Sequence, residues 1–291
     1  GRVGPLELLI IAIVHVFLYT VNEIICISKI GAFDVGGGMT VHIFGAYAGV
    51  VSSFILNASS RPTGKPKSNY FSNLFALIGT LFLWMFFPSF NFGFGYVYTA
   101  SAQYTQTQIV TNTIISLTGS CLATFITSAY LKEKFTMSHI LNATISGGVV
   151  MGSVGGIIVH PGAAIAIGFL IGIVSTASLH FLAPYLEKKF GLFDTCGVHS
   201  SFGLPGLLGG ILSGIAAASY NYSTAYDAYG LTSANFPFYD TLISRPYNQG
   251  GLQIAATFTS LGFGIAAAIV AGILVRSVHS FDENEIFNDG V

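Results

Sequence analysis

The chain has 291 residues, of which 52% are hydrophobic and 8% charged, and its formal net charge is −1. A soluble domain carries about 25% charged residues, so this composition excludes a water-soluble globule and indicates an integral membrane protein. The near-neutral balance gives no ground for a nucleic-acid partner. Cys26, Cys121 and Cys196 are odd in number and lie in or beside apolar runs, which suggests no disulfide framework.

About 20 apolar residues cross a hydrocarbon core. Eight segments qualify in chain order: 6–28, 36–56, 70–91, 107–130, 138–159, 162–183, 198–219 and 250–276. Residues 1–276 are therefore expected to form one membrane domain, with 277–291 as a short acidic tail. The chain opens "GRVGPLELL", without an initiator Met or a signal-peptide pattern, and reads as the later part of a longer protein. The longest connection, 220–249, is rich in Tyr, Asn and Ser.

Lys and Arg orient the spans. Nine of them (Arg2, Arg61, Lys65, Lys67, Lys132, Lys134, Lys188, Lys189 and Arg276) fall on one side, and only Lys29 and Arg245 on the other. The nine-residue side is expected to be cytoplasmic, and the C-terminus with it. Of the sequons at Asn57, Asn142 and Asn221, only Asn221 lies outside, so it is the one candidate for glycosylation. Glycines recur four apart at Gly45 and Gly49, at Gly148, Gly152 and Gly156, at Gly168 and Gly172, and at Gly206, Gly210 and Gly214. That register predicts close helix packing in a tight bundle.

Ionisable groups inside a span are costly and so are candidates for function. They are His15, Glu23, His42, His139, His160, His180 and His199, with Asp34 and Asp194 at helix entrances. Two stretches share one plan: "DVGGGMTVH" (34–42) and "DTCGVHSSF" (194–202). Each begins with an acid suited to capping a helix start, a role compatible with lowering the potential along a cation path. Eight residues later, about 12 Å along a helix, stands His42 in one and Phe202 in the other. At that depth few partners exist for an imidazole, which favours a pore-lining role for His42 over a satisfied core residue. His199 lies one turn before Phe202, as a second pore residue or simply a polar residue near a helix end. His160 in "VHPG" marks a turn, and His139, beside Lys132 and Lys134, reads as interfacial. Glu23 caps its helix, pairs with Lys29 or lines an outer vestibule. The aromatic run "LWMFFPSFN" (83–91) is an interface belt or core, or else places Phe90 over a pore. No HExxH, GxSxG, P-loop or CxxC pattern is present, so no enzyme, cofactor or metal site is expected.

Together these residues resemble the Rh glycoprotein branch of the ammonium transporter family. The resemblance is carried by "DVGGGMTVHIFGAYAGV" (34–50), "LFALIGTLFLWMFFPSFN" (74–91), "MSHILNATISGGVVMG" (137–152) and "FDTCGVHSSFGLPGLLGGI" (193–211). It implies an all-α membrane bundle with two inverted repeats and with the family's first spans absent from this chain. It also implies a trimer, of this chain or with other Rh-type subunits, in a lipid bilayer, with the plasma membrane as the expected location. Each subunit would hold one narrow pore for ammonia derived from ammonium. His42 falls on the first of two pore histidines, and Phe202 stands where the family usually has the second. Phe90 falls on one of two phenylalanines covering the outer end of the pore. Asp34 matches the acid linked to cation recruitment, and Asp194 its counterpart. The loss of one imidazole leaves three readings: an ammonia channel using His42 alone, a non-conducting scaffold or partner subunit, or a carbon dioxide channel.

Overall fold

The computed structural model describes residues 3–56, 69–98, 103–219 and 246–278. Every regular element among them is helical. In chain order these are α1 (Pro5–Glu23), α2 (Phe44–Leu56), α3 (Tyr70–Tyr98), α4 (Gln103–Lys132) and α5 (Met137–Ala143). They are followed by α6 (Ser146–Val154), α7 (Pro161–Ala177), α8 (Ala183–Phe190), α9 (Leu204–Ser219) and α10 (Pro246–Val278). Four π-helical turns join or open helices: Ile24–Lys29 after α1, Gly38–Ile43 before α2, Ser178–Leu182 between α7 and α8, and His199–Gly203 before α9. The expected spans therefore recur with shifted ends, as seven helices long and apolar enough to cross a membrane. This is an all-α, multi-pass membrane protein. Asn221, the acidic stretch from 279 onward and the Tyr-rich 220–245 lie outside the described residues.

The fifth expected span, 138–159, is not one helix. It is α5, a turn at Thr144–Ile145, then α6 and a non-helical end. The chain nonetheless crosses there. Gly168 and Gly172 of α7 abut Ser116 and Ser120 of α4, so these two helices run parallel and the chain between them must return. The return pairs with α4 in reverse order, from His139 at Ser128 to Ile158 at Asn112 and Gln108. Twenty residues of α4 rise about 30 Å, the thickness of a hydrocarbon core.

The break is possible because side chains of α3 and α4 supply the donors that a continuous helix would have used. Thr80 Oγ1 donates to Leu141 O (3.0 Å), Ser120 Oγ to Thr144 O (2.7 Å) and Ser116 Oγ to Gly147 O (2.9 Å). Asn91 Nδ2 donates to Gly148 O (3.0 Å), and Asn112 Nδ2 to Gly155 O (2.9 Å) and Ile158 O (3.0 Å). Backbone groups at membrane depth need such internal partners.

Small residues bring the backbones together, as the register predicts. Gly206 lies against Gly38 O and Gly264 against Phe44 O, which seats α9 and α10 on the segment carrying His42. Gly45 and Gly49 differ. Both face open space among the described residues, so the expected close packing is not made at that pair.

Candidate pore site around His42

The two matched stretches fold alike. In the first, Gly37 N donates to Asp34 O (3.1 Å), and Gly37 has φ +65°, which glycine adopts without a Cβ clash. This tight turn swings the Asp34 carboxylate under the start of the next helix. It accepts from Met39 N (3.0 Å), Thr40 N (2.7 Å), Thr40 Oγ1 (2.8 Å) and, from α6, Ser153 Oγ (3.1 Å). In the second, Gly197 N donates to Asp194 O (3.2 Å) with φ +69°, and Asp194 accepts from Val198 N (2.9 Å) and His199 N (2.7 Å). Both acids thus cap a π-helical start. Asp34 is 2% exposed, whereas Asp194 is half-buried with fewer donors.

Each π turn then delivers the residue eight positions after its capping acid to the same place. The His42 and Phe202 rings meet with centroids 5.4 Å apart and planes tilted 47°. Two further rings from α3 complete an aromatic cage: Phe90 at 5.6 Å and Phe87 at 5.7 Å from the imidazole. Pro88 lies inside α3 between them. His42 is buried, and its Nε2 has no hydrogen-bond partner among the described residues. Phe87 carried no separate signal in the sequence beyond being one turn from Phe90.

The other candidates scatter. The His199 ring meets that of Tyr47 of α2 (5.7 Å, 73°), and its Nε2 is also buried without a partner among the described residues. His15 stacks edge-on to Phe44 at 6.2 Å, outside the cage. His160 is the exposed N-cap of α7, the turn expected from "VHPG". His139 stands in the first turn of α5, the helix entrance expected for it. It is buried, its Nδ1 lies 3.0 Å from Ser128 Oγ, and its ring is 6.0 Å from that of His180. Glu23 is half-buried beside Tyr19.

Neutral amides prove as important as the ionisable groups. Gln253 of α10 accepts from Phe33 N (2.6 Å) and donates to Phe33 O (2.7 Å) and Ser213 Oγ (3.0 Å), so it clamps the residue before Asp34. Asn22 Nδ2 donates to Thr40 O (3.1 Å). Asn91, beside Phe90, holds Thr113 Oγ1 and Gly148 O and fills the space a side chain at Gly36 would need. Their sequence signal is an amide inside an apolar run.

Known proteins share this sequence and fold. The sequence model of the Ammonium Transporter Family matches residues 6–284. Ammonium transporter Rh type C of Xenopus tropicalis is 38% identical over 281 residues, covering 95% of this chain and 59% of that protein. Ammonium transporter Rh type B of Mus musculus is 39% identical over 297 residues, covering 100% and 64%. The solved structure of Nitrosomonas europaea Rh50 superposes with a TM-score of 0.75 at 28% identity, over 94% of this chain and 63% of that one. Saccharomyces cerevisiae Mep2 shares the fold, with a TM-score of 0.64 over 89% of this chain and 54% of its own. The chain thus spans about 60% of the length of the relatives it matches. On the family match and the Rh-type relatives together, the chain belongs to the ammonium transporter family, in its Rh branch.

Proposed function

We propose that this protein conducts ammonia across its membrane, after ammonium gives up a proton to water at the outer mouth. The observation that carries the reading is His42: a buried imidazole with an unpartnered Nε2, ringed by Phe87, Phe90 and Phe202. Moving a bare ammonium ion into so apolar a site costs many kcal/mol, whereas neutral ammonia carries no Born penalty. A neutral imidazole donates at one nitrogen and accepts at the other, so it offers ammonia one hydrogen bond at the driest point without charging the pore. Potassium has no proton to shed and is rejected. Asp34 and Asp194, fixed at two helix starts, lower the potential for an approaching cation. The family setting supports a trimer in the plasma membrane, of this chain or with other Rh-type subunits, with the C-terminus in the cytoplasm.

A second reading has its own observation. Phe202 lies in ring contact with His42, and a side chain in that position narrows the path past the imidazole. The protein would then be a non-conducting Rh-type scaffold or partner subunit. An ammonium jump on proteoliposomes, followed by internal pH, separates the two. Permeability above empty liposomes, reduced in His42→Ala, is expected for a channel working with one histidine. Permeability at the empty-liposome level that appears only in Phe202→His would overturn it and leave the scaffold.

A further inference from the structure

The segment that carries His42 is a π turn, Gly38–Ile43. Such turns are rare, short and frequent at functional positions. Its first bonds set it: His42 N donates five residues back to Gly37 O (2.9 Å), and Val41 N shares the same carbonyl (2.9 Å). An ordinary α turn of about 3.6 residues in its place would rotate the imidazole about the helix axis, away from Phe87, Phe90 and Phe202. The aim of His42 therefore depends on what keeps the turn wide.

Two carbonyls inside the turn are held from other helices. Ser260 Oγ of α10 donates to Met39 O (2.7 Å), and Asn22 Nδ2 of α1 donates to Thr40 O (3.1 Å). Both donors are fully buried. The amide of Asn22 is oriented by Cys26, whose Sγ donates to its Oδ1 (3.4 Å). A side chain that takes a carbonyl from outside tilts it off the helix axis and out of the regular ladder. The second π turn, His199–Gly203, is held at the equivalent place. Ser175 Oγ of α7 donates to Ser200 O (2.7 Å), and Ser200 stands two positions before Phe202 as Thr40 stands two before His42.

We propose that Ser260 and Asn22 are positioning residues for His42. By holding the Met39 and Thr40 carbonyls they keep the turn in its π form, and that form points the imidazole into the aromatic cage. They act through the backbone and not on the solute. The consequence for transport rests on the ammonia-channel reading: a misaimed imidazole no longer offers ammonia its hydrogen bond.

The test is nitrogen NMR of isotope-labelled histidine rings in nanodiscs, beside ammonia permeability of the same variants in liposomes. Ser260→Ala and Asn22→Leu each remove one donor and are expected to shift the ring-nitrogen signals of His42, which are assigned by their loss in His42→Ala. Ser120→Ala removes a buried bond to Thr144 O, outside the turn, and is expected to leave those signals in place. Either donor variant suffices if the other does not fold. Permeability should fall about 2- to 10-fold in each, as for the loss of one net hydrogen bond to the solute. In a His42→Ala background the same substitutions should change nothing further, because they act through the imidazole. Unmoved His42 signals overturn the proposal for the residue substituted, and a shift that Ser120→Ala produces equally overturns it for both. An equal fall in permeability with and without His42 also overturns it and leaves a structural role alone. Shifted His42 signals in a protein with no permeability uphold the positioning and overturn the channel reading instead.

Discussion

The carboxylate of Asp34 is bound to Ser153 Oγ, 119 residues away, at 3.1 Å. That bond joins the turn that delivers His42 to the broken crossing of α5 and α6. Asp34 Oδ2 meanwhile takes Thr40 N and Thr40 Oγ1. Asp34→Asn replaces one acceptor oxygen with an amide whose hydrogens point at donors. The cost of leaving buried donors unsatisfied is about 1–3 kcal/mol. Asp194→Asn, at a half-buried cap with two backbone donors, should cost less, about 1 kcal/mol. Thermal unfolding followed by the fluorescence of Trp84, the one tryptophan in the chain, measures both. Equal losses would show that burial and Ser153 add nothing to the first cap.

The glycines of the two turns, with Gly191 at the end of α8, give a ranked series. Gly37, Gly191 and Gly197 share a left-handed φ, of +65°, +66° and +69°. Alanine there costs about 1–2 kcal/mol for the conformation alone. The surroundings differ: a Cβ at Gly37 would lie 2.5 Å from Val41 Cγ2, one at Gly197 3.0 Å from Leu179 Cδ2, and one at Gly191 would meet nothing. Alanine is expected to destabilise most at 37, less at 197 and least at 191 in the same unfolding measurement. The reverse order would mean that contact with Val41 does not limit the first turn.

Much of this molecule is legible from its sequence, for physical reasons. Long apolar runs can only be helices in lipid, so eight spans are expected from composition, and seven of them stand as helices long and apolar enough to cross. The acid at the head of each Gly-rich stretch describes a cap, and Asp34 and Asp194 stand accordingly, while the residues eight positions on, His42 and Phe202, meet ring to ring. Segment 138–159 reads as a plain helix because its partners are non-local. The donors that let it break, such as Ser116, Ser120 and Asn112, sit on α4 and are ordinary polar residues until the two segments are packed. His139 stands at the helix entrance that neighbouring Lys132 and Lys134 suggest, yet its burial depends on Ser128 of α4 and on His180 in the turn after α7, contacts that the sequence does not announce.

The register of small residues separates contacts that matter from spacing alone. Gly168 abuts the backbone carbonyl of Ser116, whereas Gly49 faces open space among the described residues. Gly168→Ala must push α7 away from α4, and overpacking of this kind costs about 1–3 kcal/mol. Gly49→Ala is expected to change stability by no more than about 0.5 kcal/mol. Unfolding of the two variants side by side checks the contrast. A loss at position 49 matching that at 168 would reveal that a further surface packs on α2.

Gln253 offers the most local reading of how the site is held. Its side chain satisfies both backbone groups of Phe33, the residue before Asp34, and reaches Ser213 of α9 as well. Neighbouring Gln249 donates to Gly31 O (3.0 Å) and to Gln253 Oε1 (3.1 Å), which fixes the amide orientation. Gln253→Leu keeps the volume and removes the bonds to Phe33, Ser213 and Gln249, leaving Gln249 on Gly31 O. Two backbone groups at membrane depth then lose their partners, at about 1–3 kcal/mol each. The 31–34 turn should loosen before the helices do. Hydrogen exchange is therefore expected to speed up in a peptide spanning residues 30–40, while peptides from α4 and α7 keep the rates of the unsubstituted protein. If exchange at 30–40 stays unchanged, the capped turn is held by Asp34 alone and the amide clamp is dispensable.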